Sequence, residues 1–124
     1  MTGRTVQITA HALVRWIERV VGNDLKKVRR AALEAARASL GDDAPETIGD
    51  ADVIEFIERL GFDLEPMRAK IRALAEPGAL LAAKTVIAPG GNRLVLAGWC
   101  VVTVLDRNMT LTGRPMKVLT GRRA

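Results

Sequence analysis

The feature that most constrains the fold of this chain is an internal repeat of a helical hairpin. Residues 8–29 and 48–68 share one frame: Ile, then an aromatic residue followed by Ile-Glu-Arg and an aliphatic residue, then Gly-x-Asp-Leu, then an apolar residue before Arg. In each copy the glycine suits the position after a helix, where φ is often positive. The aspartate can cap the first N–H groups of the next helix. Each copy is therefore predicted to form a helix, a short turn and a second helix.

The two copies keep the same apolar stripe but differ in the charge of the opposite face. At 3.6 residues per turn, one side of the first helix carries Ala12, Leu13, Trp16, Ile17 and Val20. The opposite side carries His11, Arg15, Glu18 and Arg19. The matching positions of the second copy are Ala51, Glu55, Glu58 and Arg59. Two interpretations are open: copy one keeps a functional site that copy two has lost, or both polar faces are solvated.

The second half of the chain changes from helical to strand-like patterning. Pro77-Gly78 predicts the end of the fourth helix, and Pro89-Gly90-Gly91-Asn92 is a strong turn signal. We predict an α+β fold, with two helix-turn-helix hairpins packed on a small antiparallel C-terminal sheet. The single domain of residues 1–124 divides into hairpin one at 1–40, hairpin two at 47–76, antiparallel strands at 84–105 and a basic tail at 106–124.

The net charge of +5 conceals three segments of alternating sign. Residues 1–40 carry +5, residues 41–66 carry −8 and residues 67–124 carry +8. Opposite charges on packed elements of one chain would attract each other, each exposed pair contributing about 0–1 kcal/mol. The alternatives are a basic face left free for nucleic acid, or a homodimer in which the acidic face of one chain meets the basic face of another.

Composition excludes several classes of site. One histidine and one cysteine exclude a multi-histidine centre, an internal disulfide framework and a multi-cysteine metal site. Aromatic residues make up 3% of the chain, which argues against a stacking platform for single strands. We therefore predict no metal and no cofactor. The chain has no apolar run long enough for a membrane span and no secretory signal, and it is predicted to be cytoplasmic.

One constellation has the parts for chemistry on a phosphodiester. His11, Arg15 and Arg19 follow one another at i, i+4 and i+8 on the first helix. Guanidinium groups can bind and neutralise a phosphate while an imidazole moves a proton, and no metal is needed. Thr103 interrupts the last apolar strand and would add a polar group if it pointed toward this helix. The alternative is an ordinary amphipathic helix with solvated arginines.

A family resemblance rests on these same residues. The motif His11-Ala12-x-x-Arg15-x-x-Glu18-Arg19, followed by a Gly-x-Asp turn, a second helix, strands and a closing Val101-Val102-Thr103-Val104, resembles small bacterial and phage proteins. Their layout is similar to that of RelE-type toxins, a superfamily of metal-independent ribonucleases. The resemblance implies a catalytic site at His11, Arg15, Arg19 and Thr103, an RNA substrate and an antitoxin as partner.

A second function class stays open beside the ribonuclease. The chain would then be a non-catalytic module of phage origin that binds nucleic acid or protein, as a regulator, a counter-defence protein or a structural component. RNA is preferred to DNA as the nucleic-acid partner. The predicted phosphate-binding residues are Lys26, Lys27, Arg29, Arg30, Arg93, Arg114, Lys117, Arg122 and Arg123. The tail is predicted either to add an edge strand near 116–119 or to stay mobile.

Overall fold

The structure, a computed structural model, describes residues 4–108 and confirms the α+β fold. The helices are α1 (Ala10–Trp16), which continues as a π-helical segment (Ile17–Val21), α2 (Lys26–Leu40), α3 (Asp50–Arg59) and α4 (Glu65–Leu80). The strands are β1 (Gln7–Ile8), β2 (Thr85–Ile87), β3 (Arg93–Ala97) and β4 (Cys100–Leu105). Short 3₁₀ turns at Gly41–Asp43 and Pro89–Gly91 complete the described elements.

The turns inside both hairpins form as the repeat predicts. Gly22 and Gly61 have φ values of 88° and 98°, in the left-handed region that favours glycine. The carboxylate oxygens of Asp24 and Asp63 accept hydrogen bonds from the backbone N–H two residues further on, at 2.9 and 3.0 Å. These contacts satisfy free donors at the starts of α2 and α4.

Helix α4 does not end at Pro77-Gly78 but continues to Leu80. The proline removes one hydrogen-bond donor from the helix, yet its carbonyl oxygen still accepts from the N–H of Leu81 at 3.2 Å. Gly78 is buried against the sheet, where a Cβ atom would lie 2.3 Å from Val86 Cγ2. The close packing of this last turn on β2 and β3 accounts for the continuation.

The sheet has four strands in the order β1-β4-β3-β2. The three C-terminal strands are antiparallel, as predicted, with a bulge between Val95 and Leu96. The sequence pattern did not reveal β1, which pairs in parallel with β4 at Cys100 and Val101 and makes the sheet mixed. A strand of two residues is too short to show an alternating pattern.

Beyond the end of β1, side chains from the first helical segment cover the open edge of β4. The hydroxyl of Thr9 donates to the carbonyl oxygen of Val102 at 3.2 Å, and Arg19 Nη1 donates to the carbonyl oxygen of Val104 at 2.5 Å. Thr9 also caps α1, since its Oγ1 accepts from the N–H of Ala12 at 3.0 Å. The path of the first helix along β4 is fixed by these contacts.

Helix α1 lies at the centre of the packing. It contacts β4 on one side and α3 on another, while α4 packs on the sheet and α2 packs on α3. The core is formed by buried side chains of both layers, among them Leu13, Trp16, Val53, Ile71, Leu94 and Val101. Among the described residues, no helix combines the length and the apolar character that crossing a membrane requires.

Candidate active site on the first helix

His11 is the second residue of α1 and is held by a carboxylate of the second hairpin. Its Nδ1 lies 2.7 Å from Oδ2 of Asp50, the first residue of α3. The imidazole is 44% exposed, whereas the Asp50 side chain is only 22% exposed. His11 is therefore neither a core residue nor an unattached surface group.

Asp50 is in turn fixed by Arg29 of α2. Arg29 Nη2 donates to Asp50 Oδ1 at 2.5 Å, and Nη1 of the same guanidinium donates to the carbonyl oxygen of Ile48 at 3.3 Å. Burial alone would raise the pKa of Asp50, but the hydrogen bonds from Arg29 and His11 outweigh it and lower that pKa. Asp50 is therefore ionised at neutral pH, and it joins both hairpins through one carboxylate.

This arrangement gives His11 the geometry of a general base. With its proton on Nδ1, the imidazole donates to Asp50 and leaves the lone pair of Nε2 available. Among residues 4–108, no hydrogen-bond partner occupies Nε2. A base whose orientation is set by a carboxylate behind it recurs in unrelated hydrolases.

Arg15 lies one turn after His11 and forms an ion pair with Glu18 on the same helix. Both side chains are largely buried, with 30% and 24% of their surface exposed. Arg15 is therefore not part of a solvated arginine face, which was one of the two predictions. It also does not point toward His11 together with Arg19, which was the other. The carboxylate of Glu18 accepts a hydrogen bond from Nη1 of the Arg15 guanidinium. The remaining N–H groups of Arg15 are the ones available to a ligand.

Arg19 does not continue the line of His11 and Arg15, because the helix changes its pitch. From Ile17 the backbone is π-helical, and the N–H of Gly22 donates to the carbonyl oxygen of Ile17, five residues earlier. The extra residue in this turn rotates Arg19 toward the edge of β4, where it binds the carbonyl oxygen of Val104. The i, i+4, i+8 spacing assumed an unbroken α-helix.

Thr103 does not join the site, contrary to the sequence-based expectation that it points toward the helix. Val104 is fully buried in the core between the sheet and the helices. Successive side chains of a strand point to opposite faces, so Thr103 lies with its cross-strand partner Val95 on the other face of the sheet. Its half-buried hydroxyl is therefore separated from His11 by the sheet itself.

The predicted phosphate-binding residues fall into three groups. Lys26, Lys27 and Arg30 are exposed at the start of α2, and no ion pair involves them within the described part of the chain. Arg29 is engaged by Asp50, and Arg93 is half-buried opposite Leu105 in the sheet. The remaining members lie outside the described residues: Arg114, Lys117, Arg122 and Arg123.

Sequence reasoning missed Asp50 and Arg29 as partners of His11. The repeat aligns the starts of the two helices, since Ala10 is the first residue of α1 and Asp50 is the first residue of α3. Packing of α1 on α3 brings these two helix starts together. The periodicity of each copy describes its own apolar face and carries no information on this contact.

No known protein or protein family was found to be similar to this chain. The resemblance to RelE-type toxins therefore stays a prediction drawn from the motif and the order of the elements. Comparison of the chain with models of protein families, with curated proteins and with solved structures gave no match.

Proposed function

We propose that the chain is a metal-independent ribonuclease that uses His11 as its general base. The observation that carries this proposal is the contact of 2.7 Å between His11 Nδ1 and Asp50 Oδ2, with Asp50 itself held by Arg29. Asp50 holds the half-exposed imidazole, and Arg29 holds Asp50, which is more support than a histidine in contact with solvent alone would have. Such support is typical of a side chain whose orientation matters for proton transfer.

In the proposed reaction, His11 Nε2 takes the proton from a ribose 2′-hydroxyl. The 2′-oxygen then forms a bond to the adjacent phosphorus, and the bond from phosphorus to the 5′-oxygen of the next nucleotide breaks. The leaving 5′-oxygen takes a proton from water, and the hydroxide that remains takes the proton from the His11 imidazolium. The products are a 2′,3′-cyclic phosphate and a 5′-hydroxyl, and His11 is neutral again. Arg15 donates to the phosphate oxygens as charge develops on them, through the N–H groups that Glu18 does not use.

Cleavage of RNA by variants of the dyad tests this proposal. We expect His11→Gln to lower the rate by about 10²–10⁴-fold, the usual contribution of a general base. Asp50→Asn should also lower the rate, because it removes the charge that orients the imidazole. Arg59→Gln is the matched control: its side chain is 76% exposed on α3 and should leave cleavage unchanged.

The substrate and products make the experiment specific. The wild-type chain should release a 2′,3′-cyclic phosphate from RNA in the presence of EDTA and should leave DNA of the same sequence intact, because DNA has no 2′-hydroxyl. The thermal midpoint of each variant is measured alongside. If the wild-type chain cleaves RNA and the His11→Gln variant cleaves it at the same rate, the proposal is contradicted.

A nucleic-acid-binding module without catalysis is the second candidate, and the exposed start of α2 favours it. Lys26, Lys27 and Arg30 lie within five residues of one another, and all three are exposed. Exposed cations on one helix can bind phosphates irrespective of base sequence. RNA that binds to the wild-type chain and stays uncut assigns the protein to this second class.

A further inference from the structure

A pocket of about 310 Å³ lies at the far end of the first helical segment, separate from His11. Its walls include Arg19, the turn at Pro89-Gly90, Asn92 and the residues that follow β4, Asp106 and Arg107. Water in bulk occupies about 30 Å³ per molecule, so this volume exceeds that of a phosphate group with some of its hydration. The pocket therefore has room for a small anion.

Arg19 supplies the cationic wall of the pocket. Its Nη1 is bound to the carbonyl oxygen of Val104, and among residues 4–108 no carboxylate oxygen lies within 4.0 Å of its guanidinium. Burial and the nearby charge of Arg15 lower the pKa of Arg19, while Glu18 and Asp106 oppose this effect. A partly buried cation without a contacting carboxylate gains most from an anion that enters beside it.

Asn92 joins the segment that carries Arg19 to another part of the pocket lining. The side-chain amide of Asn92 is buried and donates to the carbonyl oxygens of Arg19 and Pro89, at 3.1 and 2.9 Å. These bonds fasten the π-helical segment to the turn before β3. The stem of Arg107 packs beside Gly91, where an added Cβ atom would lie 3.5 Å from Arg107 Cβ. A second cation therefore stands at the rim of the pocket.

We propose that this pocket binds a phosphate-class anion, held between Arg19 and Arg107. The anion that fits the proposed function is a backbone phosphate of the RNA away from the scissile bond. This part of the inference rests on the proposed function. Arg19 lies eight positions after His11 on the first helical segment, which would correspond to about 12 Å along an ideal α-helix. The pocket would thus fix the position of the strand while His11 acts on a different linkage.

Nuclear magnetic resonance of the ¹⁵N-labelled full chain, titrated with inorganic phosphate, tests the pocket directly. We expect saturable shifts of the Arg19 Nε–H signal and of the Asn92 side-chain amide. Removing the competing carboxylate with Asp106→Asn should tighten binding about two- to fivefold, and Arg107→Gln should weaken it by a similar factor. The control Arg59→Gln, at an exposed residue of α3 that does not line the pocket, should not change the affinity.

Arg19→Gln should abolish the shifts of Asn92, but this variant also loses the contact with β4. Asp106→Asn and Arg107→Gln therefore keep the test independent of folding. Unsaturable shifts, or equal affinities in the wild-type chain and both of these variants, overturn the inference.

Competition with a DNA oligonucleotide, which His11 cannot cut, tests the nucleic-acid source. The oligonucleotide should compete with phosphate at Arg19, and failure to compete overturns this source. Phosphate binding in a chain that cuts no RNA removes the proposed ribonuclease and leaves the anion pocket intact.

Discussion

At the scale of single residues, Asp50 is the group on which the proposed site depends. One oxygen faces His11 of α1 and the other faces Arg29 of α2, although Asp50 itself begins α3. The carboxylate therefore connects three helices and both copies of the repeat. Its removal would leave Arg29 partly buried without a counter-charge, and a charge in that state is costly.

The lowered pKa of Asp50 predicts a pH-dependent contribution to stability. Because the folded-state pKa lies below the unfolded value of about 3.9, the stabilisation is present above that value. It is lost as the pH falls from about 4 through the lower folded-state pKa. Asp50→Asn should reduce the free energy of unfolding by about 1–3 kcal/mol at pH 7, and the difference from wild type should shrink toward pH 2.

Urea unfolding of both chains at several pH values measures this difference. Glu55→Gln is the control. Glu55 forms an ion pair with Arg59 in which both side chains are exposed, and such pairs contribute little to the free energy of unfolding. A gap between wild type and Asp50→Asn that is equally large at pH 3 and pH 7 would show that the charge of Asp50 is not what stabilises the fold.

At the scale of elements, two helices depart from their local sequence signals for reasons of packing. The first becomes π-helical at Ile17, and this turn aims Arg19 at the edge of β4. The carbonyl oxygen of Arg19, inside the same segment, is bonded by Asn92. The fourth helix passes Pro77 because Gly78 lets its last turn lie directly on Val86 and Leu96.

Gly78→Ala tests the close approach of α4 to the sheet. Alanine normally stabilises a helix interior over glycine by about 0.5–1 kcal/mol. Here the added methyl group would overlap Val86 Cγ2, so we expect a loss of about 1–3 kcal/mol in the free energy of unfolding. In a Val86→Ala background the same change should cost less or become stabilising. Equal costs in the two backgrounds, measured by urea unfolding, would contradict this explanation.

At the scale of the whole molecule, only some of the charged residues of the three alternating segments form ion pairs between different parts of the described chain. Among the ion pairs of residues 4–108, those that join one hairpin to the other are made by Asp50, while Glu55, Glu58 and Glu65 pair within the second hairpin. The exposed cations of α2 keep their charge for solvent or a partner. A homodimer of acidic and basic faces stays a prediction, which light scattering at low and high salt tests.

The exposed cations of α2 predict how nucleic-acid affinity depends on salt. Each phosphate contact to a single strand contributes about 0.7 to the slope of log affinity against log salt. Replacing Lys26, Lys27 and Arg30 by Gln should therefore reduce this slope by about 2, measured by fluorescence anisotropy with a DNA oligonucleotide. A triple variant of equal charge change at the exposed Arg59, Lys70 and Lys84 is the control. Equal slopes for both triple variants would exclude α2 as the binding surface.

Much of the fold follows from local patterns in the sequence. The repeat predicted both hairpins together with their glycine turns and aspartate caps, and the turn at 89–92 predicted the pairing of β2 with β3. These features depend on residues close together in the chain, whose conformational preferences act in any context. Of the site, the sequence predicted His11 and the proximity of Arg15, because a helix places residues four apart on one face.

The tertiary structure decided what each of these residues contacts. Asp50 reaches His11 across 39 positions, Arg19 reaches Val104 across 85, and β1 pairs with β4 across more than 90. No periodicity encodes such contacts, since they depend on how the helices pack on each other and on the sheet. The sequence by itself determined the hairpins, the order of the elements and the basic character of the first helix. Packing determined that His11 received a carboxylate partner, that Arg19 turned to a separate pocket and that Thr103 faced away.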